Sequence, residues 1–223
     1  MMQQASQNQV FTPPSVSARE FKRESLPPTE DYREHLLELE KEGELEVQRV
    51  PEPYVEVETK FGRIKKIPEQ MTWHHKSCGQ CGHIPGYSTS IFWLNRKLGF
   101  DYHDPRDQTS CTAWNYYASS TSNAAAQAGI AVRNFSQAKV DGYFPLIHCG
   151  TSYGHYKETR EQLLHYPKLR RQVRKIMDRL KMPFVFPEEI VHYSEWVHAT
   201  VSYTHLRAHE TEADLVCRLL LEK

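Results

Sequence analysis

The stretch Ala124-Ala-Ala-Gln-Ala-Gly-Ile-Ala-Val-Arg-Asn-Phe-Ser-Gln-Ala-Lys-Val-Asp-Gly142, followed at once by Tyr143-Phe-Pro-Leu-Ile-His148, carries the transition on which the fold turns. Ala124, Ala128, Ala131 and Phe135 recur at helical spacing, and small residues on that face let the helix lie close to a sheet. Gly142 stops the helix, and the apolar run from Tyr143 to His148 reads as a strand. Pro145 brings no N–H to a ladder, which argues against a central place for that strand.

Working upstream, Ser88 or Thr89 starts a helix whose Ile91, Leu94 and Leu98 share a face, Gly99 ends it, and Phe100-Asp-Tyr-His103 reads as a short strand. Downstream, helices are expected over 156–165 and 168–181, then a strand Phe184-Val-Phe186 and a helix opened by Pro187-Glu188-Glu189. Strand and helix alternating in this way predict an α/β domain over residues 73–200, a small mostly parallel sheet with flanking helices. Before it, residues 29–72 read as an appendage. Thr29 caps a helix carrying Tyr32, Leu36 and Leu39 and ending at Gly43, and Tyr54 to Ile67 alternates apolar and charged residues around Phe61-Gly62 as a hairpin does. Residues 1–28, rich in Gln, Ser and Pro without apolar period, read as disordered.

The 223 residues balance 28 basic against 28 acidic groups, which argues against a nucleic-acid partner. No apolar run is long enough for a membrane span, and the polar start, Met1 to Gln9, lacks the core of a secretory signal, so a cytoplasmic location is expected. The basic run Lys168 to Lys181 carries Leu169, Val173, Ile176 and Leu180 as an apolar stripe, so its charges read as a solvated helix face.

Four of the five cysteines, Cys78, Cys81, Cys111 and Cys149, fall within one 72-residue window. In a reducing compartment such clustering points to metal or redox chemistry more than to structural disulfides. Ser77-Cys78-Gly79-Gln80-Cys81-Gly82-His83 is the sharpest signal: two thiolates at this spacing, each followed by glycine, can turn the backbone around a metal. The pair alone fits half a zinc site, part of an iron–sulfur site or a redox dithiol. Cys111 and Cys149 follow expected strands and so belong to the carboxyl edge of the sheet, where open α/β folds place their ligands. Together the four can complete an iron–sulfur or a zinc site.

Cys78-Gly-Gln-Cys-Gly-His-Ile-Pro-Gly86, Thr109-Ser110-Cys111-Thr112 and His148-Cys149-Gly150-Thr151-Ser152 together resemble the cysteine-rich domain found in the B-type subunits of heterodisulfide reductases. There are 32 residues between Cys78 and Cys111 and 36 between Thr112 and Cys149. With the segment Pro187 to Trp196, the pattern is most like the second B-type subunit of the heterodisulfide-reductase-like complex of sulfur oxidisers. The resemblance implies a [4Fe-4S] cluster, electron transfer to or from a disulfide or protein-bound sulfur species, other subunits of such a complex as partners, and a sulfur-carrier protein as a further one. It places Cys78, Cys111 and Cys149 at ligand positions. Thr112 and Ser152 stand where the family has cysteines, and a hydroxyl is a harder, less acidic ligand than a thiol. Cys81 is an additional cysteine that can supply the fourth ligand.

Two other readings follow from the same residues: a non-catalytic subunit with structural zinc or no metal, and a thiol–disulfide oxidoreductase using Cys78 and Cys81. The polar Trp73-His-His-Lys-Ser77 lacks the apolar strand that the latter requires. His74, His75, His83 and His148 are candidate ligands or hydrogen-bond donors beside the cysteines. Trp114, Tyr116, Tyr117, Tyr153 and Tyr156 follow the cysteine positions and read as core or pocket lining, and His192, Tyr193 and Trp196 as a helix face packed on the sheet. Finally, Val201 to Lys223 breaks the preceding pattern and resembles translated sequencing-adapter sequence, which leads us to expect a non-native tail carrying Cys217.

Overall fold

The computed structural model describes residues 31–58, 64–69, 73–75, 84, 86–100, 102–111 and 123–201. The expectations for residues 1–28 and for the tail after Val201 therefore lie outside the described residues. Along the chain come α1 (Asp31–Lys41), β1 (Glu46–Gln48), β2 (Tyr54–Glu58), β3 (Ile64–Pro68), β4 (Trp73–His75), α2 (Tyr87–Lys97), α3 (Ala124–Val140), β5 (Pro145–Ile147), α4 (Gly150–His165), α5 (Pro167–Leu180), β6 (Val185–Pro187) and β7 (Val191–His192). A further helix, α6, runs from 193 to 201, the end of the described residues.

The fold is α/β, as expected, with its parallel strands in two short sheets. One holds β4, β5 and β7 in that order, all parallel. The other pairs β1 with β6, also parallel. β2 and β3 form the expected antiparallel hairpin, Tyr54 opposite Pro68 and Val57 opposite Lys65. β5 is central despite Pro145, because the proline is the first residue of the strand, paired with Trp73, where a missing N–H costs least.

Helix α3 ends in Gly142 at φ +80, a conformation that glycine adopts without strain. Its Ala128, Ala131, Val132, Phe135 and Ala138 are buried, while Ala124 lies outside that face. Around them Leu36 and Leu39 of α1, Val47 of β1, Leu163 of α4, Val173 and Met177 of α5 and Phe186 of β6 form the larger core. The smaller core lies under the hairpin, where Ile67, Phe144, Leu146, Val191 and Trp196 meet. Thus the N-terminal helix and hairpin precede the sheets in the chain and pack on them, and β1 between them supplies a strand that the apolar pattern does not single out. On α5 the buried positions are Arg170, Val173 and Met177, and Leu180 is exposed. Arg170 replaces it in the buried face by donating to the carbonyls of Leu163 and Leu164 at the end of α4.

Three expectations are corrected. Residues 100–103 add no strand to a sheet among the described residues, beyond an isolated bridge at His103. Their aromatic rings are taken up elsewhere: Phe100 edge-on to Trp196, Tyr102 stacked on Phe92, His103 stacked on Tyr143. Pro187 closes β6 opposite Gln48 and opens no helix. Glu188 instead extends that pairing through its N–H to the Gln48 carbonyl, and α6 starts only after β7. Helix α4 begins at Gly150, a turn and a half before Tyr156, directly after the extended Cys149.

Candidate functional site

Cys111 is 1% exposed and is held by a polar clasp inside the larger core. Two residues before it, the backbone of Thr109 is bracketed by the Asn134 side chain of α3. The Thr109 N–H donates to Asn134 Oδ1 at 3.0 Å, and Asn134 Nδ2 donates to the Thr109 carbonyl at 2.7 Å. The Thr109 hydroxyl accepts from Arg133 Nη1 at 2.9 Å. This side-chain pairing holds the backbone of the loop that leads to Cys111.

Ser152, in the first turn of α4, donates its hydroxyl to Cys111 Sγ at 3.0 Å. Cys149 stands at the head of that helix in extended conformation, its carbonyl accepting from the Tyr153 N–H. Unpaired N–H groups at a helix start favour negative charge, so thiolates at this end are electrostatically supported. One turn further on α4, the fully buried Tyr156 hydroxyl accepts from Asn134 Nδ2 at 3.1 Å. Burial, reinforced by the charges of Cys111 and Cys149, pushes this phenol well above its ordinary pKa, and the Asn134 bond opposes the shift. Cys111, Cys149, Ser152, Tyr156 and Asn134 thus form one buried assembly on α3 and α4, and neither cysteine is bridged by a disulfide.

The described residues that flank the other two candidates in sequence both lie near the strand end that precedes Cys149. His75, the last residue of β4, is in register with Ile147, two residues before Cys149. Tyr87, the first residue of α2, donates its hydroxyl to the His148 carbonyl at 2.9 Å, with the two rings 5.3 Å apart. Cys78 and Cys81 fall between these two residues in sequence, and both lie outside the described residues, as do His83, Thr112, Trp114, Tyr116 and Tyr117. Among the described residues no three His, Cys, Asp or Glu side chains gather as a metal site. His148 is buried, and of His74 and His75 only the strand backbone is described.

A second polar group lies at the carboxyl end of β7. Lys65 of the hairpin donates to Tyr153 and pairs with Glu195, and Tyr153 donates to Glu195 at 3.2 Å. Burial draws the Lys65 ammonium down, but the bonds to Glu195 and Tyr153 outweigh it and leave its pKa raised. Trp196 is fully buried with Tyr193 stacked on it, the packing role expected of them.

Asn134 escapes a reading of the sequence for cysteines and histidines, although it carries a signal. It lies three residues after Ala131 and four before Ala138, a polar residue on an apolar helix face, and a buried amide must find partners. Lys65 and Glu195 come from chain segments 130 residues apart and give no comparable sign.

No protein-family model matches the chain. It is 32% identical over 115 residues to the B-type subunit of the ferredoxin:CoB-CoM heterodisulfide reductase of Methanosarcina acetivorans, a match covering 51% of this chain and 36% of that protein. The chain therefore spans about a third of the length of the curated relative it matches. Among solved structures, a hypothetical protein from Helicobacter pylori superposes with a TM-score of 0.49 at 15% identity, over 78% of this chain and 31% of that one. No described helix is long and apolar enough to cross a membrane.

Proposed function

We propose that the chain is an iron–sulfur electron-transfer subunit of a cytoplasmic heterodisulfide-reductase-like complex, acting on a disulfide or a protein-bound sulfur species. The observation that carries this reading is the position of the described residues on either side of Cys78 and Cys81: His75 is in register with Ile147, and Tyr87 donates to the His148 carbonyl, both within two residues of Cys149 in sequence. Cys111 is tied to the same helix start through Ser152. The similarity to a heterodisulfide reductase component supports the reaction class.

The donor set fits an iron–sulfur cluster: soft sulfur donors, two of them buried at a helix start, with hydroxyl donors beside them. Cys78, Cys81, Cys111 and Cys149 would hold a [4Fe-4S] cluster, which supplies one-electron transfer when bound. The chain's own contributions are positional and electrostatic. The Asn134 clasp fixes the backbone before Cys111, the start of α4 supports negative sulfur, and the surrounding core excludes water. Disulfide cleavage takes two electrons and two protons to give two thiols, so a second electron carrier in a partner protein is required.

Iron, acid-labile sulfide and zinc content of the full chain purified without oxygen, with Cys81→Ala and Cys111→Ala beside it, tests the reading. Iron and sulfide lost in both variants are expected. Stoichiometric zinc in place of iron would move the assignment to a structural subunit.

A further inference from the structure

We propose that two copies of the chain associate about a two-fold axis, the basic ladder on α5 of each copy seated on the acidic ladder on α1 of the other. Such a contact is separate from the cysteine site and does not depend on what that site binds.

Glu34, Glu38 and Glu42 recur every four residues along α1, and all three are exposed. The Glu42 N–H still donates to the Glu38 carbonyl at 2.9 Å, so the helical spacing reaches that far. Arg171, Lys175 and Arg179 recur at the same spacing along α5 and are exposed too. Residues four apart on a helix are separated by about 6 Å along its axis, so the two ladders have matching rungs of opposite sign. None of the six side chains has an ion-pair partner among the described residues. Other surface charges do find each other: Arg49 pairs with Glu40, Lys66 with Glu188 and Lys139 with Glu46. Asp178 is the single acid of α5, and it forms no ion pair with the ladder beside it.

Like charges at this spacing destabilise a helix, and opposite charges set against them relieve the repulsion. The whole chain is balanced, 28 basic against 28 acidic groups, so the two ladders are a segregation of charge rather than an excess of one sign. Two arginines of α5 join it to the end of α1, directly after Glu42. Arg170 Nε donates to Glu44 at 3.3 Å, and Arg174 Nη2 donates to the Gly43 carbonyl at 2.8 Å. The ladders are therefore neighbours on the surface, an acidic stripe beside a basic one. Such a pair is self-complementary: a half turn about an axis running between them, in the plane of contact, sets each stripe on its opposite. The contact is isologous and closes at two copies. In a single copy the charges of α5 stay in water, as its amphipathic pattern predicts. Exposed ion pairs are individually weak and screened by salt, so the dimer depends steeply on ionic strength.

Sedimentation velocity of the full chain tests this, at about 20 mM and about 500 mM salt, where charges are screened over roughly 20 Å and roughly 4 Å. A dimer at low salt that dissociates at high salt is expected. Two charge-reversed variants go beside it, one with Glu34→Lys, Glu38→Lys and Glu42→Lys, the other with Arg171→Glu, Lys175→Glu and Arg179→Glu. All six positions are exposed, and circular dichroism checks that both variants fold. Each should be monomeric alone at low salt. An equal mixture of the two should regain the dimer, and a chain with all six reversals should dimerise by itself. A dimer that survives either set of reversals, or no recovery on mixing, overturns the inference. So does a wild-type chain that is monomeric at low salt; if that monomer binds poly-L-glutamate and the α5 variant does not, the face belongs to an acidic partner protein instead.

Discussion

The Asn134 side chain grips Thr109 from both directions, accepting its N–H at 3.0 Å and donating to its carbonyl at 2.7 Å, so that one amide acts as a short piece of strand. The same Nδ2 reaches the Tyr156 hydroxyl. Asn134→Ala would leave these backbone groups without that partner in a dry core, where each unsatisfied group costs about 1–3 kcal/mol. We expect a loss of about 3 kcal/mol in urea unfolding, with the backbone before Cys111 freed. An unchanged urea midpoint would show that the clasp is not needed to hold Thr109.

Glu189 is a buried carboxylate, 2% exposed, that links the bend after β6 to α1 by accepting from Tyr32 at 2.8 Å and from Arg33. Burial, with the neighbouring Glu189 carboxylate adding to it, pushes the Tyr32 phenol far up, so it remains a donor. Arg160 of α4 covers the Tyr32 ring at 3.6 Å. Breaking a buried pair costs about 3–5 kcal/mol, and because Arg33 can partly regain water we expect Glu189→Ala at the low end, about 3 kcal/mol. In a double-mutant cycle Arg33→Ala should cost much less in the Glu189→Ala background than in wild type. Additive losses would rule out the coupling.

How much is legible in the sequence follows from the range over which each signal acts. Gly142, the α3 stripe from Ala128 onward and the hairpin alternation are local patterns, and each appears where the sequence places it, with Ala124 alone falling outside the buried face. The start of α4 lies a turn and a half before the expected one because Cys149-Gly150-Thr151-Ser152 is a weak helix former, held by its place after β5. Residues 100–103 have strand-like composition, yet stacking on Phe92, Tyr143 and Trp196 decides their path, and these partners lie up to about a hundred positions away. At the site, clustering picks out Cys111 and Cys149, and Ser152 donates to Cys111 from the first turn of the helix that Cys149 precedes. The clasp of Asn134 on Thr109, before Cys111, depends on a pairing across 25 positions that no local pattern encodes.

Two histidines make stability fall on mild acidification. Burial lowers the pKa of His155 against the opposing pull of Glu158, and lowers that of His192 against Glu195 and together with Lys65. In both rings Nε2 is buried without a hydrogen-bond partner among the described residues. The unfolded chain takes up these protons near the ordinary value of 6.5, before the folded chain does. Stability is therefore full above that pH and is lost as pH falls through the depressed folded values. The thermal midpoint should drop between pH 7.5 and pH 5.5, two settings about one unit either side of the ordinary histidine value. The drop should be smaller in the His155→Gln, His192→Gln double variant. An identical drop in that variant would assign the acid sensitivity to other groups.

Gly129 sets the approach of α3 to α5. A methyl group there would stand 3.2 Å from Ile176 Cδ1 and 3.4 Å from its Cγ2, tighter than ordinary contact by a few tenths of an ångström. The obstacle is a side chain, and Ile176 is only half-buried, so it has room to turn aside. Glycine inside a helix costs about 1 kcal/mol relative to alanine, a gain larger than the strain of moving one side chain that far. Gly129→Ala is therefore expected to be neutral or to stabilise by up to about 1 kcal/mol. Gly129→Leu drives a full side chain between the helices and should cost about 1–3 kcal/mol. Urea unfolding of the two variants separates the cases: strong destabilisation by alanine would mean that Ile176 cannot yield and that the helices meet at a rigid contact.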